Sequence, residues 1–295
     1  MTHYDRLFLK NIINILANGS KYESRAIWSD TGEQASCVKI FALVNVYNSD
    51  YANDPPIGTI RKFPIKNCID ELLWIWQKKS NNIHDLKSHV WDAWADPNGS
   101  IGAAYGFQVR SKLRKVEHDE YISGYNEVNQ YFLDQTDFVI HELKYNPNSR
   151  RIITDLYSID QNGLMGLDPC CYSCTWNVTY KDDRPYLNLL LNQRSQDMIV
   201  ANNWNVFQYW ILQNMFANEC GLQVGQLVHV IADAHIYDRH IPIAEEMIEL
   251  AHRSEKFSGP KVIIPKKGFY DYTVDDFKLE NYQYVENIKN IPVAV

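Results

Sequence analysis

Cys170, in the stretch Gly166-Leu167-Asp168-Pro169-Cys170, is the residue on which chemistry could centre. A thiolate is a strong nucleophile, and a neighbouring cation favours it over the thiol. Away from such neighbours a cysteine is usually a small buried thiol, so the surroundings decide. Gln193-Arg194-Ser195-Gln196-Asp197 brings a guanidinium, a hydroxyl and a carboxylate together at the end of a strand-like run. Asn148-Ser149-Arg150-Arg151 adds two guanidiniums just ahead of another, and Arg25 closes a polar segment after the first helix. An adjacent arginine pair is commonly no more than a solvated surface feature. Guanidinium groups also bind phosphate bidentately, which would set a thiol beside a phosphate site.

The chain of 295 residues, 45% hydrophobic and 22% charged, has enough apolar material for a sizeable core. Its net charge of -7 repels polyanions, so no specific nucleic acid or anionic membrane partner is expected and a phosphate ligand needs a local cationic cluster. The N-terminus lacks a signal-type apolar core, and no run approaches the roughly 18 to 20 apolar residues of a membrane span, which predicts a cytoplasmic protein. In that reducing setting Cys37, Cys68, Cys170, Cys171, Cys174 and Cys220 stay thiols. Cys171-x-x-Cys174 has no second ligand pair at zinc-site spacing, so no metal is expected.

Several elements must position these groups. Tyr4, Leu7, Phe8, Ile12, Ile15 and Leu16 recur at helical spacing and stop at Gly19, which suits a left-handed cap. Residues 65–79 repeat the pattern, with Glu71 among Ile69, Leu72, Leu73 and Trp76, where a carboxylate is either partly buried or at a site edge. The spacing predicts a third helix over 134–145, a strand over 151–157, and a hairpin of 174–180 with 186–193 around Lys181-Asp182-Asp183-Arg184. Asn202 or Asn203 can cap a long helix that stops at Gly221; a strand over 227–231 and a last helix over 243–252 follow. With no internal repeat or long linker, residues 1–295 read as one α+β domain.

The sequence resembles the folate-dependent thymidylate synthases. The resemblance rests, in order along the chain, on Glu71-Leu72-Leu73-Trp74, Val90-Trp91-Asp92, Tyr105-Gly106-Phe107-Gln108, Asn148-Ser149-Arg150-Arg151, Pro169-Cys170, Gln193-Arg194-Ser195-x-Asp197, Asn205, Asp233-Ala234-His235-Ile236-Tyr237 and Pro292-Val293-Ala294-Val295. It implies a large mixed β-sheet packed by helices, with a sheet face used for homodimerisation. It also implies methylation of dUMP to dTMP, with methylenetetrahydrofolate as donor of both the one-carbon unit and the hydride.

Carried onto this chain, the resemblance makes Cys170 the nucleophile at uracil carbon 6. Arg194 would hold the phosphate and favour the thiolate, with Arg25, Ser195 and the Arg150-Arg151 pair completing the phosphate site. That pair would come from the other subunit. Asn205 would face the uracil edge with a donor and an acceptor. His235 and Tyr237 would take the 3′-hydroxyl, Glu71 would relay protons, and Tyr105 would lie near the nucleophile. Trp91, Asp197 and Val295 would contact folate, with closure of the tail excluding water.

The chain departs from the family pattern at Cys171, commonly histidine, and at Ala201-Asn202-Asn203-Trp204, commonly glycine-leucine-proline-phenylalanine. It also departs at Ala26-Ile27-Trp28 after the phosphate arginine, and at Arg61, where a lysine near the folate tail is usual. Two other functions compete. A pyrimidine nucleotide hydroxymethylase would let water replace the hydride; Asn205 argues against its cytosine version, and Trp91 and the apolar tail argue against water entry. A non-catalytic scaffold, such as one on RNA, would have little reason to keep Cys170, Glu71 and Asn205 together.

Overall fold

Helix α1 (His3–Asn18) begins with a reciprocal cap: Asp5 N–H donates to Thr2 Oγ1 at 3.1 Å, and Thr2 N–H donates to Asp5 Oδ2 at 3.1 Å. Tyr4, Phe8, Ile12 and Ile15 then fall on its buried face. Gly19 is not left-handed, as expected from sequence, but extended at φ -72°. Its need is for space: a Cβ there would lie 2.4 Å from the Ile15 carbonyl oxygen and 2.5 Å from Val38 Cγ1.

The computed structural model describes residues 1–48, 50, 52–119, 128–257 and 259–295. After α1 come β1 (Ser20–Ile27), β2 (Gln34–Tyr47), α2 (Ile65–Trp76), α3 (Gly106–Ser111), β3 (Arg114–Asp119), β4 (Val128–Leu133) and α4 (Gln135–Tyr145). Then follow β5 (Ile153–Asp155), β6 (Cys171–Lys181), β7 (Arg184–Asp197), α5 (Asn202–Cys220), β8 (Gln223–Tyr237), α6 (Ile241–Leu250), β9 (Lys261–Ile263) and β10 (Lys278–Glu280).

The expected elements are present with altered limits. α2 stops three residues short of Lys79, which takes φ +56° and could not continue a helix. β5 is a short edge that pairs only through Ser173–Thr175 of β6. The β6–β7 hairpin closes on Asp182 and Asp183, both at positive φ as a two-residue turn between twisted strands requires. α5 ends at left-handed Gly221 as expected, yet neither asparagine caps its start. Instead Asn202 accepts from Tyr4 Oη at 2.9 Å, and Asn203 accepts from Gly58 N–H at 3.0 Å, fastening α5 to the N-terminal region. α6 starts two residues early and passes into a 3₁₀ turn over Ala251–Ser254.

Six strands form one mixed sheet in the order β1-β2-β8-β7-β6-β5. All neighbours are antiparallel except β7 and β8, whose parallel pairing is made possible by the α5 crossover. Leu187, Leu189, Leu191, Leu227 and Ile231 face inward beneath α5, giving an α+β core. On the opposite face, Val44 and Val46 pair with Val230 and Val228, and Leu190 also pairs with Val228, leaving an uncovered apolar strip. The parallel register sets Ser195 opposite Asp233 and Asp197 opposite His235, so two of the singled-out motifs meet at one sheet end.

Candidate active site

The loop entering β6 is gripped by Arg194. Its Nε donates to the Pro169 carbonyl at 3.1 Å and its Nη2 to the Asp168 carbonyl at 2.7 Å, while Nη2 stands 3.9 Å from Cys170 Sγ. Cys170 N–H donates to Tyr105 Oη at 3.1 Å, so the Cys170 backbone is fixed from the other side. Burial pushes the Cys170 thiol up, Arg194 pulls it back and Asp168 adds to the rise. The sequence anticipates the sign of the arginine's effect but not the burial that outweighs it.

Cys170 opens onto a cleft of about 530 Å³ that also holds Arg25, Arg194, Ser195, Asp197, Asn205, His235, Tyr237 and Val295. Its polar lining combines the two arginines with Asp197 and the Asn205 amide, and Trp94, Leu167, Val200, Val293 and Ala294 add apolar lining. A neighbouring recess of about 260 Å³ shares Arg25, Arg194, Ser195, His235 and Tyr237. Arg150 and Arg151 lie exposed outside this chain's own cleft, Arg151 lining a separate hollow beside Arg114. Arg61 likewise lines a small recess with Asp5 and Asn203, where burial lowers its pKa.

Asn205, on the first turn of α5, is oriented by two glutamines. Its Oδ1 accepts from Gln193 Nε2 at 3.1 Å and Gln196 Nε2 at 3.2 Å, leaving Nδ2 for a ligand. Gln193 Oε1 is itself held by Cys171 Sγ at 3.2 Å and His229 Nε2 at 2.8 Å. Burial pushes the His229 imidazole down to about 3, so the ring is neutral and donates through Nε2. His235 Nδ1 lies 2.9 Å from Asp233 Oδ1, and Asp233 Oδ2 pairs with Lys39 Nζ at 2.7 Å, which leaves His235 Nε2 for the cleft.

Glu71 stands behind the cleft wall, not on it. Its buried carboxylate accepts from the indole N–H groups of Trp91 and Trp204 and from Gln208 Nε2, the last at 2.8 Å. Burial raises its pKa, and the three donors only partly offset this. Trp91 packs edge-on to Tyr105 with ring centroids 5.0 Å apart, so Glu71, Trp91, Tyr105 and the Cys170 backbone form one contiguous series. Trp94, rather than Trp91, lines the cleft.

Asp197 ends β7. Its Oδ1 accepts from Ile199 N–H at 2.9 Å and Val200 N–H at 3.0 Å, and its Oδ2 faces His240 Nδ1 at 3.5 Å. Burial works to raise its pKa; His240, His235 and the Val200 N–H outweigh that and hold it below the ordinary carboxylate range. The tail is docked over the same region, with reciprocal Ile27–Val295 backbone bonds of 2.8 Å. Among the described residues, no group of three or more His, Cys, Asp or Glu is arranged to hold a metal. No described helix is long and apolar enough to cross a membrane.

Sequence reasoning misses Gln196, His229, Trp94 and His240. His229 and His240 act through partners distant in the chain, Trp94 is an ordinary core type, and Gln196 meets Asn205 only where β7 turns into α5, so spacing carries no signal for them.

The family model for thymidylate synthase matches residues 6–295. The chain is 36% identical over 296 residues to "Thymidylate synthase 1" of Bacillus subtilis (strain 168), with 98% of each chain covered. It is 37% identical over 303 residues to the thymidylate synthase of Bacillus mojavensis, with 100% of both covered. Its fold superposes on the thermostable thymidylate synthase A from Bacillus subtilis with a TM-score of 0.85 at 36% identity, covering 100% of both chains. With a thiol, a cationic clamp and a docked tail around one cleft, and with relatives matched end to end, this chain belongs to the thymidylate synthase family.

Proposed function

We propose that the cleft methylates dUMP to dTMP by covalent catalysis from Cys170, within a domain spanning residues 1–295. The observation that carries this is that Cys170, Asn205, Arg25, Arg194 and the C-terminal residues Val293, Ala294 and Val295 all line one cleft. Methylenetetrahydrofolate, when bound, supplies the one-carbon unit and the hydride. The apolar walls at Trp94, Leu167 and Val200, with the ionised Asp197 at their edge, fit a flat ring bearing N–H donors.

Cys170 Sγ adds to carbon 6 of the uracil, moving the ring's electron pair toward O4. Asn205 Nδ2 donates to that oxygen as charge builds on it. Arg194 holds the phosphate with Arg25 and Ser195, and its charge favours loss of the thiol proton. His235 Nε2 and Tyr237 take the sugar hydroxyl. Glu71, with its raised pKa, is the base that takes up the carbon 5 proton, which water carries to it from the cleft. Trp91 fixes that carboxylate, and so acts on the folate side through Glu71. The docked Val295 excludes water while the hydride transfers.

The uncovered strip of Val44, Val46, Val228, Val230 and Leu190 supports a homodimer through the sheet. Arg150 and Arg151, solvent-exposed on their own chain, then serve the neighbouring site. A cytoplasmic setting fits the six free thiols.

Mixing the protein with dUMP and methylenetetrahydrofolate is expected to release dTMP and dihydrofolate, identified by chromatography. A hydroxymethyl nucleotide with tetrahydrofolate would replace this reading by the hydroxymethylase. Arg194→Ala is expected to weaken dUMP binding by about 1.5 to 3 kcal/mol, roughly 10- to 150-fold in Kd. Unchanged affinity by calorimetry would remove Arg194 from the phosphate site.

A further inference from the structure

His240 ends the 3₁₀ turn Asp238–His240 between β8 and α6 and is fully buried. Its Nε2 lies 2.7 Å from the Pro292 carbonyl oxygen, and its Nδ1 faces Asp197 Oδ2 at 3.5 Å. Trp28 and Tyr237 enclose the ring edge-on, with centroids 5.5 and 5.8 Å away. A carbonyl and an ionised carboxylate are both acceptors. A neutral imidazole can donate to one of them, and an imidazolium to both.

We propose that His240 is a positioning residue that ties docking of the C-terminal tail to the placement of the Asp197 carboxylate. One face of the coupling is the tail: Pro292 accepts from the ring, and residues 293–295 then zip along the end of β1. Ser29 N–H donates to Val293 O at 3.4 Å, and Ile27 and Val295 exchange backbone bonds of 2.8 Å. The other face is Asp197, whose Oδ1 is fixed by Ile199 and Val200 while Oδ2 looks to His240. Trp28 belongs to both, because it bridges to Ala294 and packs on the imidazole. The departure at Ala26-Ile27-Trp28 therefore builds the seat on which the tail rests.

Among the described residues, Asp197 and Arg61 are the charged groups that act on the ring, and the titratable Tyr237 packs on it. Burial alone lowers the His240 pKa and Arg61 acts in the same direction, but Asp197 and the Pro292 carbonyl outweigh them and raise it. A group whose pKa is raised in the docked state contributes fully below its undocked pKa. That contribution is lost as pH rises through the docked value. The latch is therefore strongest below the ordinary imidazole range and weakens above it.

This inference rests on the folate-side reading of Asp197 and the tail, and the test separates the two. Hydrogen exchange of the Ile27 and Val295 amides in the ligand-free protein, corrected for intrinsic rates, is measured from pH 6 to 9. Protection should fall about fivefold or more in the native chain and be low and flat in His240→Gln. In turnover, His240→Gln should raise the folate KM about tenfold or more and leave the dUMP Kd within about twofold. Protection that does not change with pH in the native chain overturns the latch, whether or not the variant folds. A dUMP affinity that falls as far as the folate KM rises overturns the positioning role. Asp197→Asn, measured alongside, divides what remains. An unchanged folate KM in that variant overturns the folate reading. A folate KM that rises there but not in His240→Gln overturns the coupling.

Discussion

Cys170→Ser is expected to lower dTMP formation by about 10⁴-fold or more, the scale on which loss of a nucleophile is felt. Cys171→Ser should cost less than about tenfold. The two thiols are adjacent in sequence but not in role. Cys170 opens to the cleft and stands 3.9 Å from Arg194 Nη2, so a forming thiolate has a cation beside it. Cys171 begins β6, is only 2% exposed and directs its sulfur at Gln193 Oε1, 3.2 Å away. A serine hydroxyl in its place can make the same bond to Gln193, so the orientation of Asn205 survives. At position 170 a hydroxyl has a far higher pKa than a thiol, and one guanidinium cannot supply the difference. Steady-state assays with circular dichroism as a folding control measure both variants, and equal losses with folding intact would dismiss Cys170 as the nucleophile. Mixed with an Arg150→Ala/Arg151→Ala chain, the Cys170→Ser chain should regain activity. Each mixed dimer then holds one site with native Cys170 and native partner arginines, and no recovery on subunit exchange would count against the shared site.

Much of this arrangement is legible in the sequence where an interaction is local. Helical spacing locates α1, α2 and α4, and the Arg194–Asp197 motif reads as a strand end because the turn residues after it are nearby in the chain. The apolar strands are read too short: β8 extends over polar Asp233 and His235, which alternation disguises because they line a recess rather than meet solvent or core. The asparagines before α5 are misread as caps because capping is the local use of asparagine, whereas Tyr4 and Gly58 come from distant segments. The same limit applies to the site. Residue types name Cys170, Arg194 and Glu71, but only the fold shows that Glu71 sits behind the wall, and that burial outweighs Arg194 at the thiol. Long-range partners such as His229 with Gln193, or His240 with Pro292, leave no trace in spacing at all.

Asn205→Asp should reverse the preference for the pyrimidine edge, lowering kcat/KM for dUMP by at least about 100-fold while raising affinity for dCMP. The amide's direction is set before any ligand arrives, since Oδ1 already accepts from Gln193 and Gln196 and only Nδ2 is left as a donor. Uracil presents O4, an acceptor, to that donor. Its N3–H must take a place at Oδ1 beside or instead of one glutamine. With aspartate, the two glutamines keep one oxygen and the second oxygen stands where Nδ2 was. Two acceptors then oppose each other at O4, in a site where an unpaired charge costs more than a neutral group. Cytosine offers an amino group at that position and an unprotonated N3, so it relieves the clash. Buried His229, neutral and donating to Gln193, keeps the glutamine from turning over to accommodate the change. Calorimetry with dUMP and dCMP on both proteins measures the exchange. If Asn205→Asp bound both nucleotides as the native chain does, Asn205 could not be the residue that reads the base.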